Sequence, residues 1–130
     1  MARIATCSCG QLKVTCEGEP HRLSICHCYE CQRRTGSAFG IQARFRNEDV
    51  RVEGQSSEWT RVGDEGGRIT FHFCPTCGTT VYYTGSYAPG STAVAVGAFA
   101  DRTFPGPTVE VYEERRHPWL EKPKGILRSE

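Results

Sequence analysis

The sequence predicts an all-β domain. Short segments alternate apolar and polar side chains, and glycines and turn residues separate them at close intervals. No stretch with helical periodicity is long enough to alternate with strands in a doubly wound sheet. The chain has 130 residues, the usual size of one domain, so residues 1–130 are read as a single domain with a charged tail from about Glu113.

The elements follow in order. Leu12, Val14 and Cys16 alternate with polar residues, the pattern of a half-buried strand, and Arg22–Cys26 is a second short run. Cys28–Arg34 lacks alternation and ends near Gly36, which fits a single helical turn closed by a glycine. Strand character resumes from Ala38 to Phe45, and Asn47, Glu48 and Asp49 make a turn. Val50–Val52, Trp59–Val62, Arg68–Phe73 and Thr79–Thr84 read as strands, punctuated by Gly54, Gly63, Gly66, Gly67 and Gly78. The small apolar run Thr92–Phe99 predicts a buried strand, Phe104–Pro107 a turn, and Val109–Tyr112 the last strand. Pro118 and Pro123 interrupt the tail, with Trp119 as its large apolar anchor. Phe39, Phe45, Trp59, Tyr82 and Tyr83 are expected in the core, with His72 facing solvent between Phe71 and Phe73.

Composition narrows the function. Hydrophobic residues at 38% and charged residues at 24% exclude a disordered chain. A net charge of +1 argues against strong electrostatic binding to nucleic acid or an anionic membrane surface. No apolar run approaches the ~18 residues of a membrane span, and Met1–Cys7 carries no apolar signal segment, so a cytoplasmic, reducing location is expected. No dinucleotide, phosphate-loop or nucleophile-elbow pattern is present. The chain holds eight cysteines, and in a reducing compartment clustered cysteines point to metal rather than to disulfides.

Seven of them form three groups: Cys7/Cys9, Cys26/Cys28/Cys31 and Cys74/Cys77. Cys16 stands alone and reads as a small buried hydrophobe. Cys74-Pro75-Thr76-Cys77-Gly78 is a knuckle that turns two thiolates toward one point. Cys7 and Cys9, followed by Gly10, are the natural second pair of a four-sulfur structural zinc site tying the N-terminus to the middle of the chain. The Cys26/Cys28/Cys31 group fits a strand end running into a helical turn. Three sulfurs leave one coordination position open, as in a catalytic site, and a three-thiolate zinc suits holding an incoming thiol better than making hydroxide. His27, inside this group, would close the site if it were a fourth ligand. Glu30 is near enough to consider as a base.

The order CxCG, then CHCxxCxRxTGSxF from Cys26 to Phe39, then FCPxCGT, resembles the glutathione-dependent formaldehyde-activating enzymes. The resemblance runs from Cys7 to about Tyr83, with an echo at Val111-Tyr112 and Pro118-Trp119. It implies an Mss4-like fold organised around a structural zinc on Cys7, Cys9, Cys74 and Cys77. It implies a second, catalytic zinc on Cys26, Cys28 and Cys31, where His27 is not usually counted as a ligand. The implied activity is that of a carbon–sulfur lyase resembling S-(hydroxymethyl)glutathione synthase, with glutathione as the small thiol partner and formaldehyde as the carbonyl. Arg33 and Arg34 would hold glutathione carboxylates, and Thr35, Ser37 or amides near Gly36 would stabilise the alkoxide. Two zinc ions per chain are expected, the second more easily lost, in a monomer or homodimer. A non-catalytic thiol carrier or zinc-dependent binding module is the alternative. A nucleic-acid-binding zinc ribbon would need a basic face that this charge balance does not supply.

Overall fold

The structure, a computed structural model describing residues 1–130, contains eleven strands and one short helix. Strands β1 (Ala2–Thr6), β2 (Lys13–Glu17) and β5 (Val50–Glu53) form an antiparallel sheet in the order β1-β2-β5. The other strands are β3 (Arg22–Cys26), β4 (Gly40–Arg46), β6 (Ser57–Val62), β7 (Arg68–Phe73), β8 (Thr80–Gly85), β9 (Ser91–Ala95), β10 (Val109–Val111) and β11 (Arg128–Ser129). They build a large sheet in the order β11-β10-β3-β4-β9-β8-β7-β6. Helix α1 (Tyr29–Thr35) leaves the end of β3.

The small sheet covers the middle of the large one. Ala5, Leu12, Val14 and Cys16 pack against Leu23, Ala43, Phe45, Val81 and Val94 in one buried cluster. Because successive side chains on a strand point to opposite faces, the register sorts the large sheet into rows. Leu23, Ala43, Val94, Tyr82 and His72 are cross-strand partners on the core face. Arg22, Arg44, Ala93, Tyr83, Phe71 and Trp59 are partners on the opposite face. Both faces of β3 and β4 are covered, which is why these strands show little alternation of burial.

Several expectations need correction. His72 does not face solvent: its row is the core row, and it stacks on Tyr82 with ring centroids 4.3 Å apart. Burial holds its pKa below the ordinary value, against the opposing pull of Glu58. Trp59 lies on edge strand β6, more than half exposed and stacked on Phe71, so it is no core residue. Thr92–Phe99 is not one strand. The chain leaves the sheet after Ala95 and closes a tight helical turn over Val96–Phe99, ended by Ala100 at φ +49°. β1 was not anticipated, because Ile4 is exposed while only small Ala5 faces the core, a contrast too weak to read.

The tail is not anchored by Trp119, which is 71% exposed and stacks only on His117. It is stitched down through the backbone. β10 runs parallel to β3, and β11, not β10, is the last strand, parallel to β10. Leu127 N–H donates to Thr108 C=O at 2.8 Å and Glu130 N–H to Glu110 C=O at 2.8 Å. The Arg22 guanidinium then grips both carboxylate oxygens of Glu130 at 2.9 and 3.2 Å.

The Arg22 and Arg128 hydrogen bonds hold the Glu130 carboxyl down from 4.5 to about 2. A depressed carboxyl pKa contributes stability that is complete above 4.5 and fades as pH falls toward about 2. A carbon-13 carboxyl titration of Glu130 is expected to show its midpoint near 2, and Arg22→Gln should move that midpoint up toward the ordinary value.

Candidate metal centres and the adjoining groove

The first cysteine set joins two hairpins. Cys7 and Gly10 close a tight turn between β1 and β2, with Gly10 N–H donating to Cys7 C=O at 3.0 Å and Gly10 at φ +85°. Cys74 and Gly78 repeat the device between β7 and β8, with Gly78 N–H donating to Cys74 C=O at 2.8 Å and Gly78 at φ +83°. These turns bring the sulfurs of Cys7, Cys9, Cys74 and Cys77 within 4.8 Å of one another. Cys7 Sγ lies 3.6 Å from Cys9 Sγ, and Cys9 Sγ lies 3.7 Å from Cys74 Sγ. A tetrahedral ion with metal–sulfur bonds of about 2.3 Å sets its sulfurs roughly 3.8 Å apart, so these four residues fit such an ion.

The surroundings favour the thiolate at Cys77 and Cys74. At Cys9 the Gln11 amide pulls the thiol down, but the sulfur contacts with Cys7, Cys74 and Cys77, with burial, outweigh it and push it up to about 11. The Thr79 hydroxyl and nearby amides bring Cys77 down to about 5. Burial pushes the Cys74 thiol up, but the Cys77 and Thr76 amides and the Gln11 side chain outweigh it and bring it to about 7. Gln11 Nε2 donates to Cys74 Sγ at 2.9 Å and to Gln55 C=O at 2.8 Å, while Gln11 Oε1 accepts from Gln55 N–H at 2.9 Å. Nothing in the local sequence marked Gln11, since its partners lie more than forty residues away. Cys16 is fully buried outside both sets, and burial pushes its thiol up to about 12, as an inert core residue should behave.

The second set is Cys26, Cys28 and Cys31, all buried, with sulfurs within 4.8 Å of one another. Three local rules produce it. Cys26 shares a face of β3 with Arg22 and Ser24. Cys28 caps α1, its Sγ accepting from Cys31 N–H at 3.3 Å. Cys31 sits one turn into α1 on the buried side. The helix runs seven residues, longer than the single turn read from the sequence, and stops at Gly36 at φ +69°, whose N–H reaches Gln32 C=O at 2.8 Å. Hydrogen bonds from Cys26 and Cys31 hold the Cys28 thiol well below its ordinary value, aided by Cys31 N–H and the Arg61 charge. The same contacts with Cys28 and Cys31 push Cys26 up. Three sulfurs converging on one point suit a cation that accepts sulfur.

His27 does not join it. Its Nε2 pairs with the fully buried Glu110 at 2.8 Å, and Glu110 also accepts from Arg116 at 3.1 Å. Nε2 ties β10 to the end of β3, Nδ1 is buried without a partner, and neither ring nitrogen joins the three converging sulfurs.

The trio opens into a groove of about 970 Å³ on the face of the large sheet away from the core. Phe71 and Tyr83 form its floor, with centroids 5.1 Å apart. Six arginines line it against four carboxylates, Glu30, Asp64, Glu65 and Glu130. Arg34 lies over both floor rings at 5.2 and 5.3 Å, with Nη2 3.7 Å from Cys31 Sγ. Gly40 leaves room for it, since a Cβ there would meet Arg34 Nη2 at 3.1 Å.

The other sequence candidates lie at the rim of the groove or outside it. Arg33 is at the rim, largely exposed and paired with Glu30 at 2.8 Å. Thr35 and Ser37 are exposed and lie outside the groove lining. Thr35 Oγ1 donates to Cys31 C=O at 2.8 Å and accepts from Ser37 N–H at 3.1 Å, so it staples the helix end. Arg44, Arg61 and Tyr87 line the groove and were not singled out from sequence. For Arg44 a signal existed: Gln42 and Arg44 alternate with Ile41, Ala43 and Phe45, a polar row inside an apolar strand.

The family model described as glutathione-dependent formaldehyde-activating enzyme matches residues 2–115. Among solved structures, the crystal structure of a Rhodobacter sphaeroides protein is similar at 25% identity and a TM-score of 0.56, over 73% of this chain and 85% of that one. No curated protein matches significantly.

Gln11→Ala is expected to lower folding stability by roughly 1–3 kcal/mol, because it removes a hydrogen bond to a thiolate and frees the Gln55 loop. Urea unfolding followed by circular dichroism would measure it, and an unchanged midpoint would show that the knuckle stands without this brace.

Proposed function

Since the chain belongs to the glutathione-dependent formaldehyde-activating enzyme family, we propose that it joins a small thiol, glutathione or a close relative, to formaldehyde or a related carbonyl. The observation that carries this reading is the three-cysteine set opening into an arginine-lined groove, with His27 Nε2 paired to Glu110. Cys7, Cys9, Cys74 and Cys77 would hold a structural zinc, and Cys26, Cys28 and Cys31 a second zinc with a free position. A zinc ion bound to the trio would take the substrate sulfur as thiolate and lower its pKa.

The residues of the chain then divide the remaining work. The thiol proton leaves, and the substrate sulfur forms a bond to the formaldehyde carbon. The carbonyl π pair moves to oxygen, which takes up a proton, giving the hydroxymethyl thioether with every atom accounted for. Arg34, fixed over Phe71 and Tyr83 and 3.7 Å from Cys31 Sγ, is placed to offer a guanidinium to the oxygen as charge develops. This assigns the oxyanion role to Arg34 in place of Thr35 and Ser37. The aromatic floor keeps one wall of the groove dry and strengthens that interaction.

One observation favours the non-catalytic alternative, a thiol carrier. Glu30, the carboxylate nearest in sequence to the trio, is exposed and bonded to Arg33, so the base candidate read from the sequence is engaged elsewhere. Turnover separates the two readings.

Native mass spectrometry of reduced protein is expected to find two zinc ions per chain and a glutathione adduct. Cys28→Ser should remove one zinc and the adduct while leaving the fold intact, whereas Cys74→Ser should cost the fold. One zinc and no adduct, even after zinc is restored, would overturn the thiol-binding reading. In a formaldehyde assay, Arg34→Gln should cut the rate above background roughly tenfold or more, as expected for one charged oxyanion donor. Saturable binding with no rate above background would establish the carrier.

A further inference from the structure

We propose that the groove carries a second recognition subsite, built around Arg44, that binds a carboxylate of the ligand and selects peptide-like thiols. The proposal rests on the reading that a thiol sits at the trio, and it concerns the far end of that molecule.

Arg44 is only 7% exposed, yet it lines the groove. Its guanidinium donates to two neutral oxygens, Ser91 Oγ at 3.3 Å and the Tyr87 hydroxyl. It takes part in none of the ion pairs of the chain. A buried charge without a counter-charge is costly, and an arginine carries five N–H donors. The face of Tyr87 at 5.0 Å and that of Tyr83 at 5.8 Å fix the guanidinium. A fork held this way, with donors to spare and no acid in reach, matches a planar carboxylate.

A second, independent observation lies two residues earlier on the same strand face. Gln42 Nε2 donates to Ser24 Oγ at 3.3 Å, but its Oε1 is buried without any partner. Gln42 lines the same groove, and a buried acceptor without a partner calls for an N–H donor, which a turn of the Gln42 amide toward a ligand would meet. An amide or ammonium on the ligand supplies one.

The strand acts as a ruler. Gly40 stands beside Cys31, with its Cβ position 3.4 Å from Cys31 Cβ, and Gln42 and Arg44 follow on the same face. Four residues of extended strand span roughly 13 Å. A ligand with its sulfur at the trio therefore meets an N–H acceptor partway along and a carboxylate receptor at the far end. A peptide thiol of two or three residues covers that distance. A thiol whose carboxylate lies only two or three bonds from sulfur does not.

The test is calorimetric titration of the zinc-loaded protein with glutathione, S-methylglutathione and 2-mercaptoethanol. S-methylglutathione keeps the carboxylates and amides without a free thiol, and 2-mercaptoethanol keeps only the thiol. Arg44→Gln is expected to weaken glutathione and S-methylglutathione roughly tenfold or more, the scale of a charged hydrogen-bond pair, with 2-mercaptoethanol unchanged. Tyr87 is more than half exposed, so Tyr87→Phe should stay folded and shift the same two ligands in the same direction, by less. The subsite is overturned if Arg44→Gln weakens all three ligands equally or leaves glutathione untouched. It is equally overturned if Arg44→Gln fails to fold and Tyr87→Phe leaves the selectivity unaltered. Failure of the thiol reading looks different: glutathione and S-methylglutathione then bind wild type equally, Cys28→Ser changes neither, and the Arg44→Gln loss persists, which still supports the subsite.

Discussion

The fold depends most on the meeting of two glycine-closed turns at four sulfurs. Cys7 and Cys9 come from the hairpin of the small sheet, and Cys74 and Cys77 from a hairpin of the large one. Their four sulfurs lie within 4.8 Å of one another, and as thiolates they would repel unless a cation stood among them. Charge and geometry thus ask for the same thing, and an ion that satisfied them would fasten the two sheets. The apolar cluster between the sheets is built of small and medium side chains around Phe45, so a metal crosslink at its edge would bear directly on whether the chain folds.

With one face of the large sheet committed to that core, the opposite face is free to be polar and still largely covered. Strand parity then aligns Arg22, Arg44, Tyr83 and Phe71 in one row and brings Cys26 onto the same face as Ser24. The cysteine trio forms where that face meets the N-cap of α1, the one place where a strand end and a helix start share their side-chain directions. The four-sulfur set at the core edge and the three-sulfur set at the groove therefore end up on opposite sides of the same sheet.

Charge is distributed just as unevenly. The chain carries a net +1, yet arginines outnumber carboxylates along the groove, and two of those carboxylates, Glu30 and Glu130, are spent on Arg33 and Arg22. Near-neutral composition thus conceals a cationic site. Buried Glu110 shows the converse: a carboxylate held by His27 and Arg116 serves architecture, fixing β10 to the strand that presents Cys26.

Much of this was legible beforehand. The cysteine spacings, the turn glycines and the alternation of the strands are local properties, written within a few residues of one another. They determined an all-β chain, both sulfur clusters and the short capped helix. Only the tertiary structure decided that His27 turns to Glu110, 83 positions away. It also decided that Arg34 lies over the groove floor while Arg33 stays at its exposed rim, that the tail is held by β11 and not by Trp119, and that Arg44 is buried without an acid. Each of these depends on which strands become neighbours, and strand pairing joins residues far apart in the chain. Local pattern names the ligands of a turn; the register of distant strands chooses which charges meet.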